Sequence, residues 1–302
     1  MRHSPAVSSA APLLEDVSDT ARWVAHLRSL EGERPDALFR DPFARRLAGE
    51  RGRRIAEGMP SAPGAEPGPT GFASVLAIRT KVFDDLVLDG IRSTNADAVL
   101  NLAAGLDARP YRLSLPSSLV WIEADTAAML EGKAALLASE EPACHIERIP
   151  TDLADDGARR ALFDRVASSH ARVVVVTEGL LVYLSEAVVR SLAAELRARS
   201  SVRRWILEAV APAVLERNMK AWGHVLRPAN AGWKFANADG LEYYRPIGWS
   251  PVAARSFFEE ARRLGRPVKQ DWILRLASSV SSSARKKIAN MVVYGAIEPG
   301  SP

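Results

Sequence analysis

Residues 99–112 read VLNLAAGLDARPYR, an apolar run that ends in a turn of small side chains. A short apolar run bounded by turn residues is the mark of a strand buried on both faces, as in the parallel sheet of an α/β protein. In such sheets ligands sit outside the carboxyl ends of the strands, so Ala103-Ala104-Gly105 is a turn where a ligand can lie against backbone. A dinucleotide turn has the pattern GxGxxG. This turn has Gly105 alone, and Asp107 places a carboxylate where phosphates would sit. The strand end therefore suits a ligand without pyrophosphate.

Working outward, Phe72, Val75, Leu76, Val82, Phe83, Leu86, Val87 and Ile91 recur at three and four, which predicts an amphipathic helix. Arg79 falls inside its apolar stripe, where a charge must snorkel or meet an anion. Downstream, strands are predicted at 98–102, 120–123, 145–149, 172–177 and 205–210, with helices at 126–138, 156–167 and 185–199 between them. That alternation is the rhythm of a parallel βαβ sheet. Upstream, Ser18-Asp19-Thr20 can cap one helix and Asp41-Pro42 can open another, while 58–71 (GMPSAPGAEPGPTG) reads as a linker or mobile loop.

The segment 211–249 loses the alternation and carries Trp222, Trp233, Phe235, Tyr243, Tyr244 and Trp249, so an insertion covering the site is expected there. A helix through Val252, Phe257, Ala261 and Leu264 should then lead to closing strands at 271–276 and 291–297, forming an antiparallel edge. The residues through about Pro12 read as a frayed terminus.

With 302 residues, 47% of them apolar, the chain can bury a substantial core. No apolar run approaches the roughly 20 residues of a membrane span, and the N-terminus lacks a signal-peptide pattern. The reading is a cytoplasmic protein with no membrane partner. The single cysteine, Cys144, excludes an internal disulfide, and five histidines without an HxxxH pair indicate no metal. A net charge of +4 invites a nucleic-acid reading, but the basic runs 51–54 and 285–287 are short and read as solvated surface.

The residues that follow the predicted strands carry the chemistry. They are Gly105 after the first, Asp125 after the second, Asp152 after the third and Glu178 after the fourth. Asp125 lies 20 residues beyond Gly105, close to the roughly 20-residue spacing at which an acidic residue meets ribose hydroxyls. Four carboxylates, counting Asp107, would converge on one mouth of the sheet, which is costly unless hydrogen bonds or a cation compensate. S-adenosylmethionine fits such a mouth. It offers a ribose to Asp125, an adenine amino group to Asp152, an ammonium to Glu178, a sulfonium and no phosphate, while its carboxylate can meet Arg79. Arg109 and Arg112 are read as partners of carboxylates that fix the turn.

These motifs also resemble a known family. NLAAGLDARPYRL, preceded by IRTKVFDDLV and followed by WIEAD and TEGLLVYL, is similar to the leucine carboxyl methyltransferase family. The likeness is to its bacterial branch of polyketide and other small-molecule O-methyltransferases, which the segment TARWVAHLRSLEGERPDALFRDPFARRLAG also resembles. The resemblance implies a Rossmann-like class I methyltransferase fold: a seven-stranded, mostly parallel sheet with an antiparallel edge strand, an N-terminal helical cap and an insertion over the active site. It implies S-adenosyl-L-methionine held by Arg79, Ala103, Gly105, Asp125, Asp152, Leu153 and Glu178. Asp107-Ala108-Arg109 departs from the Asp-Thr-Arg of many relatives.

The organisation expected is a cap and linker over 1–70, a cofactor-binding core over 71–210, a substrate-covering insertion over 211–249, and a closing helix and strands over 250–302. The activity expected is O-methylation of a carboxyl or phenolic hydroxyl on a polyketide-like small molecule. Tyr183 and His224 are candidates for the transfer site, His224 as a base. A catalytically silent binding protein and a protein C-terminal carboxyl methyltransferase are the alternatives, and the oligomeric state stays open.

Overall fold

A computed structural model describes residues 12–61, 69–266 and 291–300. Seven strands form one sheet: β1 (Ala98–Leu102), β2 (Val120–Asp125), β3 (His145–Pro150), β4 (Val173–Thr177), β5 (Val202–Val210), β6 (Trp249–Ser256) and β7 (Val292–Pro299). Their spatial order is β3-β2-β1-β4-β5-β7-β6. The pairs from β3 through β5 are parallel, and β7 runs antiparallel to both β5 and β6, so the antiparallel pairing lies at that edge of the sheet. This is the Rossmann-like methyltransferase topology that the sequence implies.

Helices fill the crossovers. The chain carries α1 (Ser18–Gly32), α2 (Ala44–Gly58) and α3 (Pro69–Thr94) before the sheet. The short α4 (Arg109–Arg112), α5 (Ala127–Leu136), α6 (Asp156–Ser169) and α7 (Glu186–Arg197) lie between strands, followed by α8 (Pro212–Leu226) and α9 (Phe257–Arg263). The crossover helices start where side chains cap them: Thr126 accepts from the Met129 N–H, Asp155 from Ala158 and Ser185 from Val188. Helix α1 starts without such a cap; the Thr20 hydroxyl donates instead to the Val17 carbonyl.

Strand period sorts the core into two layers. Leu100, Leu102, Val173 and Val175 face α6 and α7, packing on Leu162, Phe163, Val189 and Leu192. Val99, Val174 and Val176 face α3 and α9, packing on Val82, Phe83, Leu86 and Phe257. Every residue of β1 and β4 is buried, which is why these strands read as continuous apolar runs.

Two stretches differ from the sequence reading. Residues 212–226 form a helix with Pro212 in its first turn; its buried face is Val214, Asn218, Met219, Trp222 and Leu226, spaced at three and four. Residues 249–256 form an edge strand where Val252 was expected on a helix. Pro251 is tolerated because it sits where the β6–β7 register shifts, between Pro251 and Ala253, and Val252 is left exposed. The strand expected at 271–276 and the frayed terminus through residue 11 lie outside the described residues, as does the linker at 62–68. Among the described residues no helix is long and apolar enough to cross a membrane.

Candidate functional site

The strand order reverses between β1 and β4, which makes the crevice at their carboxyl ends the place for a ligand. A cavity of about 360 Å³ opens there. Arg79, Ala103, Gly105, Asp125, Asp152, Leu153, Glu178 and Tyr183 all line it, so residues spread over a hundred positions are brought to one mouth. Its cover is the first turns of α1, through Val17, Ser18, Thr20, Ala21 and Val24; from 211–249 it takes Asn230. His224 is exposed on α8 and does not line the cavity, because α8 packs through Trp222 and Leu226 and turns position 224 outward. It is not a base for this site.

The turn after β1 is tight. Ala103 has φ 53° and Gly105 φ 47°, both left-handed conformations that favour small residues. The Gly105 N–H donates to Asp125 Oδ2 at 2.8 Å, and the Thr126 N–H donates to Oδ1 at 2.7 Å, so the Asp125 carboxylate is aimed across the turn. A side chain at Gly105 would meet Ala21 of α1 at 3.4 Å, so the cap rests directly on this backbone. Asp152 is exposed at the cavity edge with its Oδ1 accepting from the Ala154 N–H, beside the buried Leu153.

Behind the turn lies a continuous chain of buried ion pairs. Arg109 Nε meets Asp84 at 2.8 Å, its Nη1 meets Asp107 at 2.9 Å, and its Nη2 meets Glu178 Oε2 at 2.8 Å. Arg112 binds Asp84 at 2.6 Å and lies 3.9 Å from Asp41, which Arg28 of α1 also holds at 3.0 Å. Arg28 reaches further, donating to the Leu106 carbonyl at 2.6 Å, and so ties the cap to the turn. On the other side Arg79 Nε donates to Glu178 Oε1 at 3.0 Å, while its Nη1 lies 3.9 Å from Glu208 on β5. Of the four carboxylates that looked repulsive in sequence, Asp107 and Glu178 are thus compensated by arginines, while Asp125 and Asp152 accept from backbone N–H groups.

Burial works against ionisation of Glu178, but Arg109 and Arg79 outweigh it and hold the carboxyl below its usual range. The same balance, with Arg109 as the largest attraction, holds Asp107 well below it. Glu208 goes the other way: burial dominates, Arg79 only partly offsets it, and the carboxyl sits above its usual range. Tyr183 is pushed up by burial, with Thr20 and Trp233 in hydrogen-bonding contact.

The Arg79–Glu178 pair presents a cation and an anion side by side to the cavity. That is the complement of a zwitterion, an ammonium for Glu178 and a carboxylate for Arg79. Sequence reasoning missed Glu208, whose signal was an acidic residue in the otherwise apolar run 205–210, and the α1 contacts, which no local pattern announces.

The profile of the leucine carboxyl methyltransferase family matches residues 21–197. A protein of Streptomyces coelicolor, provisionally named an S-adenosyl-L-methionine-dependent methyltransferase, is 33% identical over 82% of this chain and 88% of its own length. One of Streptomyces avermitilis with the same provisional name is 34% identical over 82% of this chain and 88% of its own. A crystal structure from Thermobifida fusca, provisionally described as a methyltransferase, superposes with a TM-score of 0.54 at 15% identity, covering 96% of both chains. At that identity the likeness is one of fold.

Proposed function

The chain belongs to the leucine carboxyl methyltransferase family, and from that premise we propose that it transfers the methyl group of S-adenosyl-L-methionine to oxygen. The acceptor in this reading is a carboxyl or phenolic hydroxyl of a small, polyketide-like molecule. The observation that carries it is the Arg79–Glu178 pair at one end of the cavity with Asp125 anchored across the Gly105 turn at the other. Arg79 and Glu178 would hold the amino-acid end, Asp125 the ribose hydroxyls, and Asp152 with Leu153 the adenine, while Ala103 and Gly105 leave room against backbone. When bound, the cofactor supplies an electrophilic methyl group on a sulfonium.

The protein's own part is alignment and exclusion of water. Helix α1 roofs the cavity with Val17, Ala21 and Val24, an apolar wall suited to a largely apolar acceptor. Tyr183 keeps its proton at neutral pH, because burial raises its pKa, so it serves as a hydrogen-bonding wall rather than a base. A carboxylate acceptor has no proton to lose. No histidine lines the cavity among the described residues to take the proton of a phenol.

Calorimetry with S-adenosyl-L-homocysteine tests this reading. The native protein should bind, and Asp125→Ala should weaken binding by about tenfold, the loss of roughly 1.4 kcal/mol of charge-assisted hydrogen bonding. Native protein that does not bind, or an Asp125→Ala variant that binds equally well, refutes it. Methyl transfer from labelled cofactor to matched panels of acids and phenols then identifies the acceptor.

A further inference from the structure

Glu208 lies in no motif and does not line the cavity, yet it is the odd charge of the ion-pair chain behind it. Along that chain, from Arg28 through Arg79, four guanidiniums face five carboxylates among the described residues. The excess is one negative charge, and the carboxylate most weakly held is Glu208. Its nearest cation, Arg79 Nη1, is 3.9 Å away, and the hydrogen bond it accepts comes from the Gly179 N–H at 2.8 Å. Each of the other four carboxylates has a guanidinium nitrogen within 3.0 Å.

Among the described residues, the surroundings offer Glu208 no further cation. Facing it are Arg79 from α3, Glu178 after β4, Tyr294 from β7 and Tyr183, and both tyrosines are pushed above the usual phenol range by burial and so are neutral. Removing a carboxylate from water without a full partner is costly, so such a group either keeps a proton or waits for a cation. Burial raises the Glu208 pKa and Glu178 adds to the rise. Gly179, whose N–H Glu208 holds, lines the cavity beside Glu178 with φ 68°.

We propose that Glu208 is the residue that makes the site selective for the charge of the cofactor, favouring the cationic sulfonium form over its neutral demethylated product. The inference rests on the methyl-transfer reading. S-adenosyl-L-methionine carries an ammonium, a carboxylate and a sulfonium, a net single positive charge that neutralises the excess. S-adenosyl-L-homocysteine has lost the sulfonium charge and leaves the excess in place. Glu208 is therefore a positioning residue that acts through Arg79 and Gly179: it fixes the turn, and its negative charge assists both cofactor capture and product release.

Calorimetry of both ligands, on native protein and on Glu208→Gln, in two buffers of different ionisation enthalpy between about pH 5 and pH 7, tests this. Native protein should release a fraction of a proton on binding S-adenosyl-L-methionine, more toward the acid end, and none on binding the homocysteine form. In Glu208→Gln that release should vanish, and the preference for the cationic ligand should fall by about threefold or more. Equal proton release with the two ligands on native protein overturns the proposal without recourse to a variant, as does an unchanged preference in Glu208→Gln. If native protein binds neither ligand, the methyl-transfer reading fails and this inference fails with it; if it binds both and the preference does not move, the charge inference alone fails.

Discussion

The charged cluster under the turn after β1 and the aromatic cluster of the cap are built from opposite materials. In the first, Arg79, Arg109 and Arg112 are interleaved with Asp84, Asp107 and Glu178 in direct contacts of 2.6 to 3.0 Å. In the second, which does not line the cavity, Trp23, Phe72 and Trp222 stack and cross at ring separations of 4.9 to 5.7 Å, with Trp233 at 6.5 Å from Trp222. Ion pairs need fixed geometry to offset their desolvation, so the charged cluster is rigid by necessity and intolerant of single losses. Aromatic packing is non-directional by comparison, and its cost on truncation follows lost area and cavity volume. One cluster is thus specified by charge balance and the other by volume.

The largest expected effect breaks the first of these. Arg109→Met leaves Asp84, Asp107 and Glu178 each short of a buried cation, and breaking such a pair costs about 3–5 kcal/mol. Denaturant unfolding should show that loss, and S-adenosyl-L-homocysteine binding should fall with it. Trp222→Ala attacks the aromatic cluster. It should cost about 3 kcal/mol as an aromatic truncation, yet leave the affinity of the folded protein for the same ligand within about threefold, because Trp222 does not line the cavity. Equal loss of binding in the two variants would erase the distinction.

The smallest effect sharpens it within the charged cluster, through two carboxylates with opposite shifts. Glu178 is depressed when folded, so its ionisation contributes stability above the unfolded carboxyl range that is lost as pH falls through the folded value. The stability gap between native protein and Glu178→Gln should therefore close as pH drops below about 4.3, the unfolded glutamate pKa. Glu208 is raised, so its ionisation opposes folding near neutrality and that penalty disappears as pH falls. Glu208→Gln should then be more stable than native protein near pH 7 and lose the advantage by about pH 4. Denaturant midpoints across that range would show the two curves converging from opposite sides.

Legibility in the sequence follows the same division. Strands β1 and β4 are readable because burial on both faces writes itself as apolar runs, and Gly105, Asp125, Asp152 and Glu178 are readable because each stands at the carboxyl end of a strand or within three residues of it. Helix α8 has a regular apolar spacing that the aromatic composition of 211–249 masks. Of the aromatics in that segment, Tyr244 and Trp249 pack on Trp205 at 5.2 and 5.5 Å in the core. Composition alone does not separate an aromatic that lines a site from one that fills a core. Strand β6 was obscured by Pro251, which an edge bulge accommodates and a central strand would not.

The sequence by itself determined the parallel strands of the sheet, their crossovers and the residues standing at the strand ends, because these follow from local periodicity and from short-range capping. Only the tertiary structure decided the charge state of the site. Arg79 and Glu178 are 99 residues apart, and Arg204, Glu208 and Asp84 are all buried charged residues with nothing in their sequence neighbours to rank them. Which carboxylate is fully paired and which is left over depends on distances of a few ångströms between distant segments. That difference separates Glu178, held below the carboxylate range, from Glu208, held above it.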